Sequence, residues 1–280
     1  GSQNAVASLG DVTGDGVPDF VAGAPSWPMP HPTIPGATVA GVGRASIYSG
    51  ATGLSILDVF GTYNLQALGK GVAAIGDVDL DGKIDVAIGA PMTGPIVPGG
   101  TPPPSQVQVW STGTLSLLYT VVQGAGGFGG ADFGSSIAGI GDVGLAAGGV
   151  YFAIPDGVPD FAVAAPDSNV VTVYSGFDGA VLYILHAGTL TYPGGGPVLT
   201  GADRLGESMS AVGDVDFDGI PDFIVGARQN GTATGGGSPG TINAQQFPGA
   251  AILVSGAGGA VIHVFTGAAG DAFGQSVAGT

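Results

Sequence analysis

LGKGVAAIGDVDLDGKIDVAIGAP, residues 68–91, holds two short apolar runs on either side of a nine-residue acidic loop, D-x-D-x-D-G-x-x-D. Each run is too short and too glycine-rich for a helix, and Asp-Gly is a strong turn dipeptide, so the stretch reads as a β-hairpin. Outward from it, the same design recurs along the chain. Gly-Asp-Val returns with its aspartate at Asp11, Asp77, Asp142 and Asp214, at separations of 66, 65 and 72 residues. Upstream lie LGKGVAAIGDV from Leu68, FGSSIAGIGDV from Phe133, LGESMSAVGDV from Leu205 and FGQSVAGT from Phe273. Downstream lie PDFVAGAP from Pro18, IDVAIGAP from Ile84, PDFAVAAP from Pro159 and PDFIVGAR from Pro221.

Each copy continues with two alternating runs around a Ser-Gly or Thr-Gly turn: ASIYSGATGLSILDVF, VQVWSTGTLSLLYTVV, VTVYSGFDGAVLYILH and AILVSGAGGAVIHVFT. Alternation around a glycine turn marks a second hairpin. A repeat is therefore four short strands, and repeated four-strand units of this length are the sequence form of propeller blades. The predicted fold is all-β, a β-propeller-type array of four-stranded antiparallel blades in one domain. Four full repeats fill about 2–66, 67–131, 132–202 and 203–270, and 271–280 supply the first strand of a fifth. A solenoid of stacked sheets is the structural alternative.

Composition narrows the function. Twenty-one acids face five bases, for a net charge of −16, and all the acids but Glu207 are aspartate. Such a chain repels nucleic acid and anionic membranes. Aspartate is a poor strand residue but a good turn residue and a hard oxygen ligand, which points to loops and cations. Fourteen aspartates fall in the four repeated loops: Asp11, Asp15 and Asp19; Asp77, Asp79, Asp81 and Asp85; Asp142, Asp156 and Asp160; Asp214, Asp216, Asp218 and Asp222. Alternate side chains of a tight loop converge on one concave side, where oxygens can surround a hard cation. Carboxylates about 5 Å apart repel by roughly 3 kcal/mol per pair at an effective dielectric near 20, which a divalent ion relieves. Repeat 3 inserts GLAAGGVYFAIP into its loop. No cysteine, no apolar stretch long enough to span a membrane as a helix and no convergent catalytic motif occurs, and His31, His186 and His263 stand in unrelated contexts.

FG near the start of a repeat and GAP after the acidic loop resemble the FG-GAP repeat of integrin α-subunit propellers and of many secreted bacterial proteins. The resemblance covers nearly the whole chain, with departures at Leu68, Leu205, Arg228 and the AAP of repeat 3. It implies Ca²⁺ held by loop positions one, three, five and nine and by the carbonyl of position seven. Carried across, the ligands are Asp11, Thr13, Asp15, Val17 and Asp19; Asp77, Asp79, Asp81, Lys83 and Asp85; Asp142, Asp156, Val158 and Asp160; Asp214, Asp216, Asp218, Ile220 and Asp222. Three to four structural calcium sites result. Position twelve is Ile88 or Val225 and the flanks are strands, which excludes an EF-hand. The resemblance also places ligand recognition on the long loops 25–44, 91–106, 187–204 and 228–249, with Trp27 and Phe247 as candidate contacts. A non-enzymatic, extracellular or cell-surface adhesion module for a protein or glycan is the expected function. The alternative is a filament or lattice subunit that meets copies of itself head to tail through its terminal strand.

Overall fold

The computed structural model describes residues 5–30, 36, 38–92, 104–123, 132–147, 150–152, 154–190, 204–228, 249–268 and 271–279. Repeat 1 contains β1 (Val6–Gly10), β2 (Asp19–Ala24), the short pair β3 (Met29–Pro30) and β4 (Thr38–Val39), β5 (Arg44–Tyr48) and β6 (Ser55–Phe60). Repeat 2 contains β7 (Val72–Gly76), β8 (Asp85–Ala90), β9 (Gln106–Ser111) and β10 (Ser116–Val122). Repeat 3 contains β11 (Ser136–Gly141), β12 (Leu145–Ala147), β13 (Val150–Phe152), β14 (Asp160–Ala165), β15 (Val170–Tyr174) and β16 (Val181–His186). Repeat 4 contains β17 (Leu205–Gly213), β18 (Asp222–Ala227), β19 (Ala250–Val254) and β20 (Val261–Thr266). Each repeat forms one four-stranded sheet, in the orders β1-β2-β5-β6, β7-β8-β9-β10, β11-β14-β15-β16 and β17-β18-β19-β20. The fold is all-β with blade-type sheets; among the described residues the one helical piece is a 3₁₀ turn at Pro166–Ser168.

The chain divides into two compact units, Gly1–Ile137 and Ala138–Thr280, with the boundary inside β11. In the first, Val21, Ala45 and Ile47 of repeat 1 form one buried cluster with Leu68, Val86 and Ile88 of repeat 2. In the second, Ala162, Ala164, Val171 and Val173 pack with Leu205, Phe223, Val225 and Ile252. Strands β8 and β14 are buried at all six positions, which is why DVAIGA and DFAVAA are apolar throughout after their aspartate and do not alternate.

The FG and GAP elements meet across consecutive repeats. A Cβ on Gly23 would lie 1.8 Å from the Gly69 carbonyl oxygen, on Gly89 1.9 Å from that of Gly134, and on Gly226 2.0 Å from that of Gly274. The FG turn of each following repeat thus rests on backbone at the GAP glycine, and a methyl group has no room there. Repeat 3 carries Ala164 at this position, and there the approaching residue is Gly206, whose own Cβ would meet the Ala164 Cβ at 2.5 Å. The aspartate ahead of the FG pair secures the same turn: Asp271 accepts the N–H groups of Ala268 at 2.6 Å and Phe273 at 2.9 Å. In repeat 2, Gln66 takes that place and accepts from Thr62 and Tyr63.

In repeat 4 an ion pair accompanies the departure at the end of GAP. Arg228 replaces the proline of GAP, and its guanidinium makes two contacts of 3.0 and 3.1 Å with Glu207, which follows the FG glycine of the same repeat. Arg204 bridges Glu207 and Asp167.

Gly89→Ala is expected to destabilise the chain by about 2–3 kcal/mol, since the backbone it strikes has nowhere to move. Gly82→Ala, in open space, is expected to cost nearer 1 kcal/mol from its left-handed φ alone. Urea unfolding of both variants measures this, and equal losses would refute the packing role given to Gly89.

Candidate functional site

The four acidic loops are built to one pattern of backbone N–H donors and carboxylate acceptors. The first aspartate reaches across the bend: Asp77 accepts from Asp81 at 3.0 Å and from Gly82 at 2.8 Å. Asp11 does so with Asp15 and Gly16, Asp142 with Asp156 and Gly157, and Asp214 with Asp218 and Gly219. The fifth aspartate makes an Asx turn, in which Asp15, Asp81, Asp156 and Asp218 accept the N–H of Val17, Lys83, Val158 and Ile220. Glycine follows it each time with φ between 86° and 92°, a region that other residues enter only with strain.

The ninth aspartate has a role that the sequence reading did not assign. Asp19, Asp85, Asp160 and Asp222 open the second strand of their repeats and are no more than 1% exposed. One oxygen accepts an N–H of the acidic loop, from Val12, Val78, Val143 or Val215 at 2.8 to 2.9 Å. The other accepts an N–H from the turn of the second hairpin, at Gly50, Thr112, Gly176 or Gly256. This carboxylate therefore ties the two hairpins of a repeat together. The signal was present in the sequence: Ser-Gly or Ser-Thr recurs at the partner turn in every copy.

The insertion in repeat 3 leaves this frame intact. Strands β12 and β13 pair as a hairpin of their own, Leu145 opposite Phe152, so Asp142 still meets the N–H groups of Asp156 and Gly157. What repeat 3 lacks is an acid at the third position.

Among the described residues, two groups of three acids bring carboxylate oxygens within 4.8 Å of one another: Asp77, Asp79 and Asp85, and Asp214, Asp216 and Asp218. These oxygen-only sets suit a hard divalent cation. They lie in the two loops with four acids. In repeat 1, Thr13 holds the third position and donates to Asp11 at 3.3 Å. Leu80 and Phe217, at the loop tips, are 66% and 89% exposed; all three acids of the repeat 4 triad are exposed, whereas the repeat 2 triad runs from exposed Asp79 to buried Asp85. Of the other candidates, Trp27 is exposed, whereas Phe247 and His31 lie outside the described residues. His186 and His263 stand in β16 and β20, and neither belongs to an acidic cluster.

Burial dominates the electrostatics of Asp85 and Asp160. It pushes Asp85 up to about 6 against the N–H bonds from Val78 and Thr112, and Asp79 and Asp81 add repulsion. Burial pushes Asp160 up to about 7, opposed by the N–H of Gly176 and Val143 and reinforced by Asp142. At the exposed first position of repeat 1, the Gly16 N–H leads in holding Asp11 below the usual carboxylate range.

A model of the FG-GAP repeat matches residues 4–48. Integrin α-V of Gallus gallus is 30% identical over 238 residues, covering 79% of this chain and 19% of the relative. Integrin α-IIb of Homo sapiens is 32% identical over 172 residues, covering 59% of this chain and 15% of the relative. The chain thus spans a fifth or less of the length of these curated relatives. Among solved structures, a rhamnogalacturonan lyase of Bacillus licheniformis aligns with 94% of this chain and 51% of its own at 16% identity, with a TM-score of 0.48, too low to carry function.

Asp85 and Asp160 hold their protons more tightly in the folded chain than in the unfolded one, where aspartate titrates near 3.8. Between about pH 4 and 7 the folded chain retains protons that the unfolded chain has lost, so these groups make stability fall as pH rises through that window. In excess chelator, Tm is expected to be higher at pH 5 than at pH 8, and the double variant Asp85→Asn, Asp160→Asn is expected to flatten the dependence. A chelated Tm that climbs from pH 5 to pH 8 would contradict it.

Proposed function

The chain carries FG-GAP repeats akin to those of integrin α-subunits, and we propose that it is a calcium-stabilised, non-enzymatic recognition module that works outside the cell. The observation that carries this reading is the pair of acidic triads in the loops of repeats 2 and 4. Each presents several carboxylate oxygens on a loop whose frame is already fixed by backbone N–H groups. Calcium suits such a set better than magnesium, because it takes many oxygen ligands in adaptable geometry and gives up its water readily.

Three to four ions bind, with the loops of repeats 2 and 4 filling first because each offers four acids. The loops of repeats 1 and 3, with three acids each, fill at higher concentration. The ion's task is structural: it neutralises carboxylates gathered where the first two strands of a repeat turn. Weak sites of this kind are filled by the millimolar calcium found outside cells, which supports the extracellular assignment. The partner is a protein or a glycan, met through the loops that follow GAP, where Trp27 lies exposed. Nucleic acid is disfavoured by a net charge of −16. A binding role and not catalysis is supported by the carboxylates themselves, which are engaged in loop architecture, and by His186 and His263, which stand in outer strands and belong to neither acidic triad.

Two sites filled at about 100 times their dissociation constants add about 5 kcal/mol together. At this size that corresponds to a Tm gain of roughly 10–20 °C. Chelation is expected to remove it in a thermal melt, and a melt unmoved by excess chelator would defeat the proposal. Asp79→Asn combined with Asp216→Asn, which neutralises one member of each triad, is expected to remove the two tightest sites from a calorimetric titration while leaving the weaker ones.

A further inference from the structure

Repeat 1 carries a second group of side chains that the acidic loops do not use. Trp27 follows GAP, Arg44 opens β5 and Phe60 closes β6. Gly43 donates to the Trp27 carbonyl at 3.1 Å and Gly61 to the Gly43 carbonyl at 3.0 Å, which locks the three segments side by side. The Arg44 guanidinium carbon lies 4.9 Å from the centre of the Trp27 ring and 5.7 Å from that of Phe60. Arg44 also donates to Asp58 through Nη2 at 2.6 Å and Nε at 3.2 Å, and the Ser55 hydroxyl donates to the same carboxylate at 2.8 Å. Trp27 and Phe60 nevertheless keep 42% of their surface in water.

This arrangement selects a ligand chemistry. Arg44 is fixed by two rings and a carboxylate, so the platform is ordered before anything binds. Asp58 cancels its charge, so the platform is locally neutral on a chain of net charge −16. An acidic polymer is repelled by the field of the whole chain. A cationic one is drawn to the acidic loops and not to an arginine. A neutral saccharide meets every feature: its C–H faces lie on ring planes, and its hydroxyls both donate and accept, matching Asp58 and Arg44 side by side.

We propose that Trp27, Arg44, Asp58 and Phe60 form a binding site for a neutral saccharide. The proposal rests on the reading of the chain as a recognition module and supplies the class of its ligand. Trp27 and Trp110 are the two tryptophans, so in the full chain carrying Trp110→Phe the fluorescence reports on Trp27 alone. The probes are cellohexaose, mannohexaose and galactohexaose as neutral saccharides, with oligogalacturonate as an acidic saccharide and decaproline as a peptide that also stacks on aromatic rings. In calcium buffer, at least one neutral hexasaccharide is expected to shift the Trp27 emission. By calorimetry, Trp27→Ala and Phe60→Ala are each expected to weaken that binding about tenfold or more, with the cooperative melt in calcium retained. Trp27→Phe, which keeps a ring, is expected to retain most of it and guards against a folding defect in the alanine variant. Silence from all three neutral probes, saccharide binding that survives both alanine substitutions, or a preference for oligogalacturonate or decaproline would each overturn the site. Those outcomes leave the calcium-dependent melt untouched, whereas a chain indifferent to chelator would sink the module reading without bearing on the Trp27 titration.

Discussion

A buried carboxylate at the base of each repeat holds two hairpins together, and the remaining architecture depends on it. Asp19, Asp85, Asp160 and Asp222 each accept N–H groups from the acidic loop through one oxygen and from the facing turn through the other. Charge-assisted bonds to backbone amides are strong, and a buried carboxylate without them would be very costly. The geometry still leaves burial ahead at Asp85 and Asp160, both of which hold protons unusually tightly. A cation above the loop would resolve that tension, because it favours the ionised form that the amides already recognise. Loop and clasp are thus one device, with the exposed acids facing solvent and the buried one anchoring them.

The same economy governs how repeats stack. The GAP glycine gives up its side chain so that the FG turn of the next repeat can lie against backbone, and this recurs at Gly23, Gly89 and Gly226. Where repeat 3 has alanine instead, the FG glycine Gly206 faces its methyl group. Repeat 4 has lost the proline after GAP, and a two-contact Arg228–Glu207 pair stands in its place.

Charge is distributed by function. The aspartates gather in loops, and the three arginines are all held in ion pairs with Asp58, Asp167 or Glu207. One of those pairs lies beneath open aromatic rings in repeat 1, a neutral patch on an acidic molecule.

The amino-acid order alone determined the repeat, its four strands and the acidic loops, because each is a local pattern: alternation for strands, Asp-Gly for bends, near-constant spacing for the array. It also offered Trp27 and Phe247 as candidate contacts, from their places in long loops that the FG-GAP resemblance assigns to recognition. Only the tertiary structure decided what the ninth aspartate does, since its second partner lies 27 to 34 residues away at Thr112, Gly50 or Gly256, and 16 away at Gly176. It also decided that the longer loop of repeat 3, where the first and last acids stand 18 residues apart instead of 8, keeps the same frame, because β12 and β13 pair with each other. The grouping of Arg44 with Trp27, Phe60 and Asp58 was likewise invisible in one dimension. Pairing of β5 with β6 sets Arg44 opposite Phe60 and Ser46 opposite Asp58, and the bond from the Gly43 N–H to the Trp27 carbonyl adds the fourth residue, so the group is a property of the sheet and its flanking loop and not of any one segment.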